Sequence, residues 1–284
     1  MIKFNKIGKL VAGAVLAMSS SVALADHVPG LAFSETNFTI NPSAVGLTGC
    51  NGGTCTARFI DFSYRAEVDQ ASTSPLSASF TETGGGFFGT FRTDLGAPAV
   101  RSTGLGDSYQ MYFVFTAAGN TAPGGLGTID GTFTSFNYSV YLDPEFDSAL
   151  VNPTAGGVNE TVTRTGGLSD DIEVLRGTLV TGGFHIADGL ANGDFDVIAS
   201  AMALNGFFGG EAFASGDART DINGVNSLIS GIPAGSPFAT TTDITIDGSG
   251  NASFEPVPVP EPASLALFGL ALAGVAFTRR GKKA

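Results

Sequence analysis

Apolar and polar residues alternate along much of the chain. Over residues 58–68, apolar side chains at every second position are separated by polar or charged ones. The apolar set is Ile60, Phe62, Tyr64, Ala66 and Val68. A period of two places such a set on one face of a β-strand, so this stretch predicts an antiparallel strand with one buried face. Residues 132–142 show the same alternation and predict a second strand.

Shorter stretches with similar patterning predict further strands at 76–81, 87–93, 109–116, 172–181, 195–204, 211–215 and 243–247. Clusters of glycine or proline at 84–86, 123–125, 152–153 and 182–183 predict turns between them. No helical period stands out in residues 26–255. Many short strands with frequent turns indicate an all-β domain, and we expect an antiparallel β-sandwich or jelly roll.

The sequence Gly-Phe-Phe-Gly occurs twice, at 86–89 and at 206–209. Equivalent strands in a two-sheet structure would explain why the tetrapeptide occurs twice. Chance recurrence in a chain with 40 glycines and 23 phenylalanines would also explain it, and is favoured. The sequence therefore does not predict a repeat architecture.

Charge is distributed very unevenly. Between residues 26 and 258 there are 25 acidic residues and seven arginines, and no lysine occurs between Lys9 and Lys282. Such a surface repels nucleic acids and anionic lipids, so we expect no nucleic-acid partner. It favours solubility and divalent cations.

The two cysteines, Cys50 and Cys55, enclose four residues suited to a tight turn. In an exported protein this pair is expected to form a disulfide bond. The loop it closes is short, so the chain-entropy model gives only about 2 kcal/mol of stabilisation. A metal site would need further soft ligands, which the neighbouring sequence lacks.

Two acidic clusters are the chemically suggestive feature of the central region. Asp143, Glu145 and Asp147 alternate just beyond a predicted strand, and Asp194 and Asp196 do likewise before another. Carboxylates in a flexible loop suit Ca²⁺, which would be the only cofactor, although neither cluster fits the EF-hand pattern. The alternative is that both clusters are solvated polar turns in an acidic protein.

Motifs for catalysis are lacking. The sequence has no G-x-S-x-G, no H-E-x-x-H and no phosphate-binding glycine loop followed by lysine. A glycosidase with two carboxylates stays open, because its acids can lie anywhere in the sequence. Without tryptophan for stacking sugars it is not favoured, and we expect a protein that is not an enzyme.

Residues 1–25 have the three parts of a secretory signal peptide. A lysine-containing start precedes an apolar run at 10–18, and an A-x-A site follows at 23–25. We expect cleavage between Ala25 and Asp26, which would leave an exported domain over residues 26–255.

The other end of the chain carries a proline-rich stalk, an apolar run and a basic tail. Prolines at 256, 258, 260 and 262 predict an extended stalk over 256–262. The apolar run predicts a transmembrane helix at 263–278, although its fifteen most apolar residues would span only about 23 Å. The tail at 279–284 contains Arg279 and Arg280, which the positive-inside rule places in the cytoplasm.

This end of the chain resembles the PEP-CTERM sorting signal of Gram-negative bacteria. The tripeptide Pro260, Glu261, Pro262, the short apolar helix and Arg279-Arg280 match that signal part by part. The resemblance implies an exosortase as partner, a precursor held in the inner membrane, and a role accompanying exopolysaccharide production. An ordinary tail anchor is the alternative.

A weaker resemblance covers segments 38–46, 108–115, 133–144 and 193–196, which look like the flocculation-associated PEP-CTERM proteins. It implies a cell-surface or extracellular-matrix protein that joins cells to exopolysaccharide in flocs or biofilm. No catalytic residue is carried over, because that role is architectural. The alternatives are a secreted polysaccharide-active enzyme and a surface module that binds calcium or a glycan.

Overall fold

Long antiparallel strands dominate the computed structural model, which describes residues 33–151, 162–187 and 192–257. The predicted signal peptide, with Ala25 and Asp26, lies outside the described residues. So do the predicted sorting tripeptide, transmembrane helix and basic tail. No helix within the described part of the chain is long and apolar enough to span a membrane.

The described residues form thirteen strands and four short 3-10 helices. In chain order the strands are β1 (Phe38–Ile40), β2 (Cys55–Ala57), β3 (Phe59–Ser74), β4 (Ser77–Arg92), β5 (Gln110–Pro123), β6 (Ile129–Asp143), β7 (Ala149–Val151), β8 (Thr163–Thr165), β9 (Ile172–Ile186), β10 (Gly193–Ala203), β11 (Phe208–Gly209), β12 (Asp217–Ser230) and β13 (Thr241–Pro256). The 3-10 helices are Pro42–Val45, Cys50–Gly52, Gly125–Gly127 and Glu211–Phe213.

Eight of these strands form a closed antiparallel barrel. They follow one another around it in chain order, from β3 to β6 and then through β9, β10, β12 and β13, which pairs back with β3. Strands β7 and β8 form a hairpin inserted between β6 and β9. Strands β11, β1 and β2 form a small separate sheet. Closure pairs every long strand on both sides, so the barrel has no free edge.

The all-β class is confirmed, but the strands form a barrel and not the sandwich or jelly roll that the sequence led us to expect. Alternation along a strand defines its buried face. It does not say whether the sheet folds over a second sheet or curls until its first and last strands pair. Here β13 runs antiparallel to β3 over most of its length, and this pairing closes the barrel.

Several boundaries also differ from the predictions. Strand β4 merges two predicted strands and runs through the predicted turn at 84–86, while β9 runs through 182–183. The predicted strand at 211–215 contains a 3-10 helix, Glu211–Phe213. Strand β12 was not predicted. The two Gly-Phe-Phe-Gly stretches are not equivalent, because one lies in β4 and the other leads into the two-residue β11.

Aromatic rings lying over glycines form much of the barrel interior. In seven cross-strand pairs among the described residues, a Phe or Tyr ring covers the glycine directly opposite on a neighbouring strand. A Cβ built on these glycines would lie 2.1–2.9 Å from a ring atom. The pairs are Phe62 with Gly250, Tyr64 with Gly248, Phe80 with Gly119, Phe115 with Gly84, Tyr138 with Gly177, Phe184 with Gly131, and Phe195 with Gly224.

The two ends of the barrel are closed differently. At one end, a small apolar cluster includes Phe80 of β4 and Phe238 of the connection between β12 and β13. Gln70 donates hydrogen bonds to the carbonyls of Pro237 and Ala239 at 2.9 and 2.7 Å, which fix this connection. At the other end, Phe38 and Phe208 of the small sheet pack against Phe254 of β13.

The disulfide bond joins Cys50, in a 3-10 helix, to Cys55, the first residue of β2. The Cys50 side chain is buried and belongs to the main apolar cluster. The bond therefore constrains the turn that leads into the small sheet.

Replacing Gly84 by Ala should destabilise the protein by about 1–3 kcal/mol, because the added Cβ would lie 2.3 Å from the Phe115 ring and overpack the interior. Gly89→Ala is the matched control. Gly89 lies in the same strand, its φ is not positive, and no atom lies within 4 Å of an added Cβ. Chemical denaturation measures both variants, and equal losses would contradict the packing role of Gly84.

Candidate functional site

Asp143, the last residue of β6, organises the loop that follows it. Its side chain is fully buried. One carboxylate oxygen accepts the backbone N–H groups of Glu145 and Phe146 at 3.0 and 2.8 Å. The other accepts the N–H of Ser148 at 2.9 Å and a side-chain hydrogen bond from Gln110. A carboxylate has about four acceptor positions, so this one is saturated.

The predicted acidic cluster is partly assembled in the structure. Carboxylate oxygens of Asp143, Asp147 and Asp170 lie within 4.8 Å of one another, and Glu145 is not part of this group. Asp147 is exposed and Asp170 is partly buried, with one oxygen that has no hydrogen-bond partner. Asp170 was not predicted as part of the cluster, because it lies 27 positions beyond Asp143 in the sequence.

The geometry of this cluster fits Ca²⁺ poorly. Calcium takes six to eight oxygen ligands. The lone pairs of Asp143 are already occupied by four donors, which leaves Asp147 and Asp170 as the carboxylates able to bind an ion. The solvated-turn interpretation is wrong for Asp143, which is a buried acceptor that holds the loop together.

A second network, which the sequence did not predict, attaches the β7–β8 hairpin to the outer wall of the barrel. Arg164 of β8 contacts the buried carboxylate of Asp171 at 2.7 Å and donates to the Tyr112 hydroxyl at 2.7 Å. Its guanidinium carbon lies 3.7 Å from the centre of the Tyr141 ring, in a cation–π contact. Ser148 also donates to Asp171, at 2.9 Å. Burial acts to lower the pKa of Arg164, but the hydrogen bond to Asp171 and the interactions with Tyr112 and Tyr141 together outweigh it, and the pKa is raised.

The second predicted acidic cluster lies on strand β10, where Asp196 is close to Asp221 of β12. The carboxyl groups of Asp196 and Asp221 lie close enough to interact. Burial, followed by the nearby charge of Asp196, raises the pKa of Asp221 to about 7. Glycosidases hold their two carboxyl groups at least ~5 Å apart, with the substrate between them. Two carboxyl groups so close that one raises the pKa of the other, with no space for a substrate between them, would not match that arrangement.

His185, at the end of β9, faces Asp130 of β6, and its Nδ1 lies 2.7 Å from a carboxylate oxygen. The pair lies on the exposed part of the barrel wall.

Comparison with known families identifies the C-terminal segment. The family model for the PEP-CTERM protein-sorting motif matches residues 258–280. The chain carries a PEP-CTERM sorting motif. The match includes Pro260, Glu261, Pro262, Arg279 and Arg280, and it begins two residues after the end of β13. A PEP-CTERM motif marks a protein for export, for processing by an exosortase, and for the cell surface or the extracellular space.

The PEP-CTERM match covers under a tenth of the chain and does not include the barrel. No match to the chain was found among curated proteins or among solved structures.

Replacing Asp143 by Asn should cost about 2–4 kcal/mol, because an amide presents an NH₂ group to buried N–H donors. We expect the same loss in chelator and in millimolar calcium, since the role of Asp143 needs no metal. Asp147→Asn, at an exposed position, is the control and should be nearly neutral. Thermal unfolding of both variants with and without calcium tests this. A loss of stability that appears only in the presence of calcium would indicate instead that these acidic residues bind calcium.

Asp221 should make stability depend on pH. The folded protein holds this proton up to about pH 7, whereas an ordinary aspartate releases it near 3.8. The contribution of Asp221 to the stability of the folded protein is therefore fully present below about pH 4 and is lost as the pH rises to about 7. The melting temperature of Asp221→Asn minus that of the wild type should increase over this range. Asp107→Asn, which removes an exposed carboxylate, controls for net charge. A difference that does not change with pH would contradict the raised pKa.

Proposed function

We propose that this chain is a structural protein of the cell surface or extracellular matrix of a Gram-negative bacterium, associated with exopolysaccharide and cell aggregation. The observation that carries the proposal is the PEP-CTERM motif at residues 258–280. The precursor would be held in the inner membrane by the apolar segment that follows the tripeptide, until an exosortase processes it.

The barrel supports an architectural role and not a catalytic one. Three of the acidic groups serve as hydrogen-bond acceptors for loops or as members of ion pairs. Asp143 holds a loop, Asp171 holds the β7–β8 hairpin, and Asp61 pairs with Arg92. None of these three carboxylates is left available for acid–base chemistry on a substrate.

The charge of the domain limits the kind of polysaccharide it would contact. With 25 acidic residues and seven arginines, the domain repels polyanions. A neutral polysaccharide, or an acidic one bridged by divalent cations, is therefore the partner that we propose. Cell aggregation that depends on a divalent cation would indicate the acidic polysaccharide.

The sorting motif provides the direct test. Replacing Pro260, Glu261 and Pro262 by three alanines keeps the length of the chain and removes the tripeptide. We expect the precursor to remain in the membrane uncleaved, visible by immunoblotting of membrane fractions. Such cells should flocculate less while exopolysaccharide synthesis continues.

Neutralising Lys282 and Lys283, which lie beyond the matched residues, is the control for this experiment. This variant keeps Arg279 and Arg280 and should be processed normally. Wild-type processing of the triple-alanine variant would contradict recognition of the tripeptide. Normal flocculation despite a processing defect would contradict the matrix role alone.

A further inference from the structure

The barrel interior contains a cavity of about 110 Å³ that is lined by residues of both apolar clusters. Its walls are mostly aromatic and aliphatic, and the described residues that line it include no lysine, arginine or histidine. An engineered apolar cavity of ~150 Å³ is large enough to bind benzene. The space inside the barrel is therefore suited to a molecule of similar or slightly smaller size.

One carboxylate points into this cavity. Glu82 lies on the inward-facing row of β4, between Phe80 and Gly84, and is 9% exposed. It is the one acidic residue among the described residues that line the cavity. No hydrogen bond or ion pair to its carboxylate is formed by the described residues.

The polar groups near Glu82 are already engaged elsewhere. The Tyr64 hydroxyl donates to the side-chain oxygen of Asn226, and the Tyr138 hydroxyl donates to the carbonyl of Ser200 at 3.0 Å. Directly across from Glu82, the neighbouring strands present Val68 and Ala117, which have no polar side-chain atom. A buried carboxyl group without a partner is costly, and burial raises the pKa of Glu82 to about 7.

A cationic partner would offset this cost better than any other occupant. An ammonium group would neutralise the carboxylate and donate up to three hydrogen bonds. Aromatic rings around the cavity, among them Phe80, Phe115 and Phe136, attract cations through their π faces. Anionic molecules such as short fatty acids would face Glu82 with no basic group to receive them.

We propose that the barrel interior is a binding site for a small organic amine, with its ammonium group at the Glu82 carboxylate and its apolar body among the surrounding rings. This function is independent of sorting and of any association with polysaccharide. It makes the exported domain a carrier or receptor for a molecule about the size of one ring.

Thermal unfolding and titration calorimetry of the purified exported protein test the proposal with three matched sets of probes. Isobutylamine and benzylamine are the amines, isobutanol and benzyl alcohol their neutral counterparts, and isobutyrate and benzoate their anionic ones. At ten times its dissociation constant, an amine should raise the melting temperature by roughly 3–6 °C. The alcohols should have a smaller effect and the carboxylates none.

Two variants locate the site. Glu82→Gln should weaken binding of the amines at least about tenfold while leaving binding of the alcohols nearly unchanged. Val68→Phe keeps the carboxylate and fills the adjacent space, so it should abolish binding of both. Far-UV circular dichroism checks that each variant is folded, and if Val68→Phe does not fold, Val68→Leu replaces it.

The same experiments can overturn the proposal. Equal shifts in melting temperature with amines, alcohols and carboxylates would show that the charge of Glu82 does not select cationic ligands. Amine binding that survives both substitutions would place it outside the cavity. No shift with any probe would leave the cavity as a gap in packing and Glu82 as a buried acid without a ligand.

Discussion

The contact between an aromatic ring and the glycine beside it is the constraint on which this barrel depends. An eight-stranded barrel has an interior just wide enough for its side chains, so large rings pointing straight inward would compete for the axis. Here Tyr64 lies over Gly248, and Phe184 over Gly131, where the missing side chain leaves room. The rings therefore lie along the wall. These pairs use seven of the 40 glycines and five of the 23 phenylalanines, and they leave space around Glu82.

The same contact explains which parts of the fold could be predicted from the sequence. Alternation located most of β3 and β6, because their inward rows are large and apolar. Glycines 84–86 read as a turn, because the rings that cover this part of β4, such as Phe115, come from a different strand. Strand β12 was missed because its inward row includes Thr220, Gly224 and Asn226, which carry no hydrophobic signal.

The prediction of the candidate site was limited in a similar way, because its residues are brought together by contacts between separate parts of the chain. Asp143 was found from its acidic neighbours, but its role comes from N–H donors in the following loop and from Gln110 on β5. Asp171 and Arg164 meet only because the β7–β8 hairpin folds back on the barrel wall. Glu82 lies between the predicted strand at 76–81 and the predicted turn at 84–86, and only the closed barrel shows that it points inward. The sorting motif could be recognised from the sequence because its parts follow one another directly along the chain.

Both ends of the described domain lie at the same end of the barrel. Thr36 pairs with Phe254 near the end of β13, so the N-terminal segment runs beside the strand that leads to the sorting motif. Strand β13 ends at Pro256 and the motif begins at residue 258, which leaves almost no spacer between barrel and motif. With a precursor held in the membrane as proposed above, the end that carries the small sheet would be the end nearer the membrane. The connection between β12 and β13, fixed by Gln70, then lies at the end directed away from it, where a ligand from outside would first meet the barrel.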